Sequence, residues 1–327
     1  MRNAITDVPG IRVGQAQDFE GATGCTVILC EADGAVAGVD VRGSAPGVRE
    51  TDTIHPLNFI TKANAVYLSG GSAFGLDGAS GVMQFLEEKK IGIDVEVTHV
   101  PIVLGAVLFD LNVGSPNIRP DKAMGYKACQ TSGMDVLQGN VGAGTGATIG
   151  KSAISEFQMK GGVGTASRQI GNIVIGAIVV VNCYGDIIDK STGKIIAGCL
   201  NKTKTGFADT IQLIQTQILS KTNPDPFKIC TNTTLGCIAT NAKFTKSQCT
   251  KLAQMAHDGF ARSINPVHTM FDGDIIFSLS TGDIEADLTS IGSIGAEVMS
   301  DAIVNAIKNA KSAYGYMGYL DLPKILL

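Results

Sequence analysis

The amino-acid sequence predicts a layered α/β sandwich, and three observations carry that expectation. Residues Ile173 to Val181 form a nearly continuous apolar run rich in β-branched side chains. Such a run marks a strand buried on both faces, which needs a covering layer above and below it. The first part of the chain alternates strand-like runs with glycine turns before a helical stripe, and the part after residue 232 reads strand, helix, strand, helix.

Taken in order, the expected strands are Cys25 to Glu31, Ala35 to Val41 and Ala65 to Leu68, each bounded by Gly, Asp or Ser. A helix follows over Leu76 to Lys90. Its apolar residues Leu76, Ala79, Met83 and Leu86 fall on one stripe, and Glu87-Glu88-Lys89-Lys90 gives a solvated end. Residues 186 to 231 break the rhythm with Asp, Lys, Thr and Asn and with Asn223-Pro224-Asp225-Pro226. This stretch reads as an exposed linker carrying a short helix over Ile211 to Leu219. Beyond it come a strand over Leu235 to Thr240, a helix opened by the capping box Thr245-x-x-Gln248, a strand over Ile275 to Ser280 and an alanine-rich helix near Thr289 to Lys311. No repeat of fixed period is visible.

The 327 residues suffice for one large domain or two small ones, of which a single domain is expected, and 44% apolar residues with 40 glycines indicate a chain that folds compactly. Twenty-six basic against thirty acidic residues give a net charge of -4, and no basic run exceeds two residues. That excludes the electrostatic footprint of a nucleic-acid binder and favours a small or neutral substrate. The N-terminus lacks the apolar stretch of a signal peptide, and the Ile173 to Val181 run is too short to cross a bilayer. A cytoplasmic protein without a membrane partner is expected. The eight cysteines (25, 30, 129, 183, 199, 230, 237 and 249) show no CxxC pair and are expected to be small core residues.

Several motifs resemble catalytic signatures and fall short of them. Ser69-Gly70-Gly71-Ser72-Ala73-Phe74-Gly75 lies between a strand and a helix, as a nucleophile elbow does, but its glycine comes one place too late for G-x-S-x-G. A tight turn whose backbone N–H groups line a pocket is the better reading. The run from Gly142 to Ser152 ends in Gly150-Lys151-Ser152, yet Thr145 stands where a phosphate-binding loop needs glycine. It is expected to form a glycine-rich wall with Lys151 at its end, either as a donor to the site or as an ordinary exposed lysine. His55, His99, His257 and His268 show no metal-ligand spacing, so no metal and no cofactor are expected. His268, close to Asp272 in sequence, is placed at the edge of the site. A Ser-His-Asp triad stays possible on composition, although nothing selects its serine.

The dipeptide Asn232-Thr233 offers a nucleophile at the start of a strand. A threonine hydroxyl there can attack the preceding carbonyl, and hydrolysis of the resulting ester frees the threonine amine as a base. Asp272 and Asp274 lie i and i+2 across a glycine, so on extended backbone both carboxylates can point to one face and hold the nucleophile. Two close acids also shift each other's protonation. The competing reading is an ordinary turn before a strand, with an Asx turn at Asp272.

Side by side, Asp7 to Gly14, Arg42 to Asp52, Gly70 to Gly75, Gly139 to Gly146 and Asn232-Thr233-Thr234 resemble the autoprocessing L-aminopeptidase/D-esterase family. That family includes β-peptidyl aminopeptidases and 6-aminohexanoate-oligomer hydrolases, and the resemblance runs nearly end to end. It implies a four-layer αββα sandwich, similar to N-terminal-nucleophile hydrolases with different connectivity. It further implies a cut between Asn232 and Thr233 into chains 1–232 and 233–327, associated as a homotetramer of αβ units. Thr233 is implied as nucleophile, Asn182 as oxyanion donor, Lys151 as its neighbour, and Asp272 and Asp274 as orienting acids. Gly70, Gly71, Ser72, Phe109, Gly144 and Thr145 are the expected substrate contacts. The family often carries a tyrosine before an Asp, where this chain has Leu108-Phe109-Asp110.

These readings converge on a self-cleaving amidohydrolase acting on small peptides, ω-amino-acid oligomers, or amino-acid amides and esters. The alternatives are an unprocessed small-molecule binding protein of the same fold, and a serine hydrolase or nucleotide-binding enzyme built on the glycine-rich loops.

Overall fold

A computed structural model of the chain describes residues 1–31, 33–152, 155–220 and 232–323. Its first half contains the strands β1 (Ile11–Asp18), β2 (Thr23–Cys30), β3 (Ala35–Val41), β4 (Gly47–Arg49), β5 (Lys62–Ala63), β6 (Ala65–Ser69) and β7 (Val103–Val107), with helices α1 (Gly78–Glu88) and α2 (Lys122–Gln130). The second half adds β8 (Gly162–Ile170), β9 (Ile173–Asn182), β10 (Asp186–Asp189), β11 (Lys194–Ala197), α3 (Thr210–Ser220), β12 (Thr233–Ala242), α4 (Lys246–Ser263), β13 (Ile264–Asn265), β14 (Ile275–Ile284) and α5 (Leu288–Lys308).

The strands form two principal sheets, ordered β1-β2-β6-β7-β4 and β8-β9-β12-β14-β3-β5. Both are mixed. Their parallel pairs, β6 with β7 and β12 with β14, are joined by connections containing α1 and α4 respectively. Antiparallel neighbours need no such crossover.

Three hydrophobic cores separate four layers. Val27, Leu29, Tyr67 and Val103 pack with Ala79, Val82 and Leu86 of α1 and with Ala128 and Cys129 of α2. Ile28, Val66, Leu68 and Leu104 meet Ile178, Val180, Leu235 and Phe277 between the sheets. Ile175, Ala177, Val179 and Val181 turn to the opposite face, against Leu252 and Phe260 of α4 and Met299 and Ile303 of α5. The period-2 alternation of one apolar strand thus feeds two cores, and the αββα sandwich follows.

The expected strand Ile173 to Val181 appears one residue longer, as β9, and Ala35 to Val41 is β3 as read. The capping box at Thr245 and Gln248 is formed, with Thr245 accepting from the Gln248 N–H. The first helix starts later than expected because Ser72–Asp77 is a 3-10 turn running into α1. One expectation is corrected. Residues 186 to 220 are not an exposed linker, because β10 and β11 form a hairpin that joins β13 in a small sheet. Asp186 is buried there and accepts hydrogen bonds from the N–H groups of Cys199 (2.8 Å) and Thr210 (2.6 Å). An aspartate that organises two backbone segments looks, in sequence, like any solvated one. The short helix within this stretch is present as α3, while Asn223-Pro224-Asp225-Pro226 and Cys230 lie outside the described residues. The other seven cysteines are buried and unbridged. Among the described residues, no helix is long and apolar enough to cross a membrane.

Candidate active site

Two adjacent strands bring the candidate residues together. In the antiparallel pair β9·β12, Asn182 is the direct partner of Thr233, so the last residue of one strand faces the first residue of the other. On the other side of Thr233, Asn232 and Asp272 form a parallel bridge just before β12 and β14 begin to pair. Asn232 and Thr233 are therefore flanked by Asn182 on one side and by the 272–274 segment on the other. Asn232, Thr233, Asn182, Asp272 and Asp274 are all buried.

The peptide between Asn232 and Thr233 has an unusual set of neighbours. Its carbonyl oxygen accepts the Gly273 N–H at 3.1 Å, and the Thr233 hydroxyl donates to the same oxygen. A Cβ on residue 273 would come 2.7 Å from Thr233 Oγ1 and 2.6 Å from the Ala45 carbonyl. Only glycine fits between the hydroxyl and the Arg42–Ala45 segment, whose Arg42, Gly43 and Ala45 N–H groups bind the carbonyls of Asp274 and Asp272 at 3.0 Å. Reading Gly273 merely as the spacer between two acids missed its amide, because a main-chain donor leaves no trace in residue type.

The two carboxylates take up different work. Asp272 accepts from the N–H of Thr269 at 3.0 Å, from the Thr269 hydroxyl, and from the Tyr184 N–H at 3.4 Å. Asp274 accepts from the Thr234 N–H at 2.7 Å and from His268 through Nδ1 at 2.9 Å and the main chain at 3.2 Å. The hydroxyl of Thr233 donates to its own preceding carbonyl rather than to either acid. Burial, then the neighbouring Asp274 charge, pushes the Asp272 carboxyl above the usual range.

Lys151 is buried, not exposed, and its Nζ donates to Asn182 Oδ1 at 2.7 Å. Burial pulls its pKa down to about 7, against the opposing pull of Cys183, Asp272 and Asp110. The same Asn182 oxygen accepts the Thr148 N–H at 3.0 Å, and Asn182 Nδ2 donates to the Phe109 carbonyl at 3.1 Å.

The glycine loops are joined to this centre through Asp110, which sequence reasoning left without a role. Asp110 is buried and accepts the Gly71 N–H and the Thr23 hydroxyl, each at 2.7 Å. A Cβ on Gly70 would fall 2.0 Å from its carboxylate, and Ser72 N–H binds the Leu108 carbonyl at 2.9 Å. Gly70, Gly71 and Ser72 therefore gather beside Leu108 and Asp110, and the Phe109 carbonyl between these two binds Asn182. Gly144 and Thr145 have other neighbours: Gly144 lies against Gly162 and Val163, and the Thr145 hydroxyl binds the Gly142 carbonyl at 2.7 Å. Lys160, fully buried, secures that loop by donating to the carbonyls of Thr145 (2.9 Å) and Ala147 (2.7 Å). Burial lowers its pKa to about 7.

A strand-initial threonine whose hydroxyl bonds the carbonyl oxygen of the preceding residue, a backbone donor on that same oxygen and a buried lysine of lowered pKa can together support acyl transfer. The sequence profile of Peptidase family S58 matches residues 3–320. The chain belongs to peptidase family S58. It is 38% identical over 344 residues to an uncharacterized aminopeptidase of Mycobacterium bovis, covering 98% of each chain. It is 32% identical over 316 residues to the 6-aminohexanoate-oligomer endohydrolase of a Kocuria species, covering 92% of this chain and 85% of that one. Its fold superposes on the L-aminopeptidase D-Ala-esterase/amidase of Ochrobactrum anthropi, described as a variant of the Ntn hydrolase fold, with a TM-score of 0.72 and 20% identity over 98% of this chain and 91% of that one. Membership of S58 makes this chain a hydrolase of peptide or amide bonds.

Proposed function

We propose that this S58 peptidase cuts itself between Asn232 and Thr233 and then uses Thr233 as an N-terminal nucleophile. The observation that carries the reading is the Asn232 carbonyl, which lies between the Thr233 hydroxyl and the Gly273 N–H. In the first step Thr233 Oγ1 attacks the Asn232 carbonyl carbon, and the Gly273 amide stabilises the oxyanion. Neutral Lys151 takes the hydroxyl proton and returns one to the Thr233 nitrogen as the C–N bond breaks, leaving an ester. Water then cleaves the ester to give the Asn232 carboxylate and a free Thr233. A lysine of pKa about 7 is suited to that exchange.

In turnover the new Thr233 amine accepts the hydroxyl proton, the oxygen attacks a substrate amide or ester, and the acyl-enzyme is hydrolysed by water. The Asn182 amide is the oxyanion donor, oriented through its oxygen by Lys151 and Thr148. Asp272 and Asp274 orient the nucleophile. Gly70, Gly71, Ser72, Phe109, Gly144 and Thr145 form the substrate wall. The substrates are small peptides or ω-amino-acid oligomers such as those of 6-aminohexanoate, hydrolysed in the cytoplasm by a homotetramer of αβ units.

Intact mass under denaturing conditions, with N-terminal sequencing, tests the first step. Two chains, 1–232 and 233–327, the second beginning Thr-Thr-Leu-Gly, are expected. A single full-length chain that persists on prolonged incubation would favour an unprocessed binding protein instead.

A further inference from the structure

We propose that His268 is a positioning residue for this reaction, fixing Asp274 so that its carboxylate holds the main chain immediately after the nucleophile; the inference rests on the reading of Thr233 given above. Two consecutive residues serve the two acids in the same way. Thr269 gives Asp272 one main-chain and one side-chain hydrogen bond. His268 gives Asp274 the same pair, with N–H at 3.2 Å and Nδ1 at 2.9 Å, both to Oδ2. The other oxygen, Oδ1, accepts the Thr234 N–H at 2.7 Å, the amide immediately after the nucleophile. The path from ring to nucleophile is therefore His268, Asp274, Thr234, Thr233.

The arrangement needs a donor at the Nδ1 position, because the carboxylate oxygen it faces is an acceptor. Residue 268 has φ 55°, the left-handed region that a β-branched residue avoids and that His and Asn tolerate. The ring edge packs against the ring of His257, centroids 4.8 Å apart, and stacks on Phe260 at 6.1 Å. Burial lowers the His257 pKa to about 3, so that neighbour is neutral, and its Nε2 donates to the Asp40 carbonyl at 3.1 Å. Asp274 is the charged group that these contacts place against His268.

Packing and donation are separated by three substitutions, read by the rate of self-cleavage of freshly made full chain and by kcat and KM on a short amide substrate. His268→Asn keeps a donor near the Nδ1 position and tolerates the left-handed backbone. It is expected to stay within about tenfold of wild type. His268→Leu keeps apolar bulk without a donor and is expected to lose at least about tenfold in cleavage rate and kcat with KM little changed, the scale of one hydrogen bond to a charged group. Should His268→Leu fail to fold by circular dichroism, His268→Gly relieves the backbone and serves as the donor-free variant.

Wild-type cleavage and turnover in the donor-free variant would overturn this inference alone, provided that Thr233→Ala stays uncut. Equal losses in His268→Asn and the donor-free variant, both folded, would overturn it too. Cleavage of Thr233→Ala would overturn the nucleophile assignment and this inference with it.

Discussion

Asn182 stands directly opposite Thr233 across β9 and β12, and its side-chain oxygen holds Lys151 Nζ at 2.7 Å. One side chain thereby ties the strand beside the nucleophile to a buried lysine and, through Thr148, to the glycine loop. Asn182→Ala is expected to lower kcat by about 10²–10³, the scale of a lost oxyanion donor. It also strands the Thr148 N–H, costing about 1–3 kcal/mol of stability. Asn182→Asp restores the acceptor without the donor, so denaturant unfolding should recover while kcat does not.

Thr233→Ala removes the hydroxyl that donates to the Asn232 carbonyl, and should yield an uncut, inactive chain. Thr233→Ser keeps the hydroxyl and should still cut. Mass spectrometry of both variants distinguishes loss of chemistry from loss of fold, since a folded, uncut Ala variant is the expected product.

Gly273→Ala keeps the amide donor but places a methyl group 2.7 Å from Thr233 Oγ1 and 2.6 Å from the Ala45 carbonyl. The hydroxyl and the Ala45 main chain must both give way for the methyl to fit. Self-cleavage is expected to slow by at least about tenfold, as misplacement of a reacting atom does. Wild-type cleavage in this variant would show that the gap at residue 273 is not needed.

Self-cleavage should accelerate as pH rises through about 7, where the buried Lys151 loses its proton and becomes able to accept one. Rates of precursor loss at a series of pH values provide the check. Lys151→Met should remove this limb along with most of the rate.

Lys160 gives a separate pH signature in stability. Its folded pKa of about 7 lies below the ordinary 10.5, so its contribution is fully present above the unfolded value and is lost as pH falls through the folded one. Stability should therefore rise with pH between these limits, by no more than about 1.4 kcal/mol per pH unit from this group. Lys160→Met removes that slope and leaves the Thr145 and Ala147 carbonyls without their donor. Denaturant melts of the two proteins at a series of pH values make the comparison.

Much of the fold was legible in the sequence because its signals are local and periodic. The β9 run shows its two-sided burial by composition alone, and the Thr245/Gln248 box announces α4 by residue type. β8 was not legible, since Gly162-Val163-Gly164-Thr165 lacks bulk; a Cβ on Gly164 would meet Ala302 and Ala306 backbone at 2.1–2.2 Å, so the glycine is there to admit α5. The hairpin at Asp186 was hidden for the opposite reason, a polar residue doing buried work.

By itself the sequence determined the layers, the strand on which Thr233 sits and the presence of two nearby acids, because hydrophobic period and motif spacing are properties of neighbours along the chain. Only the tertiary structure decided that Asn182 faces Thr233, that the Gly273 amide reaches the Asn232 carbonyl, and that His268 and Thr269 divide the two acids between them. Those relations depend on register between strands distant in sequence, on main-chain donors that every residue shares, and on burial, which turns Lys151 from a surface charge into a group near neutrality at physiological pH.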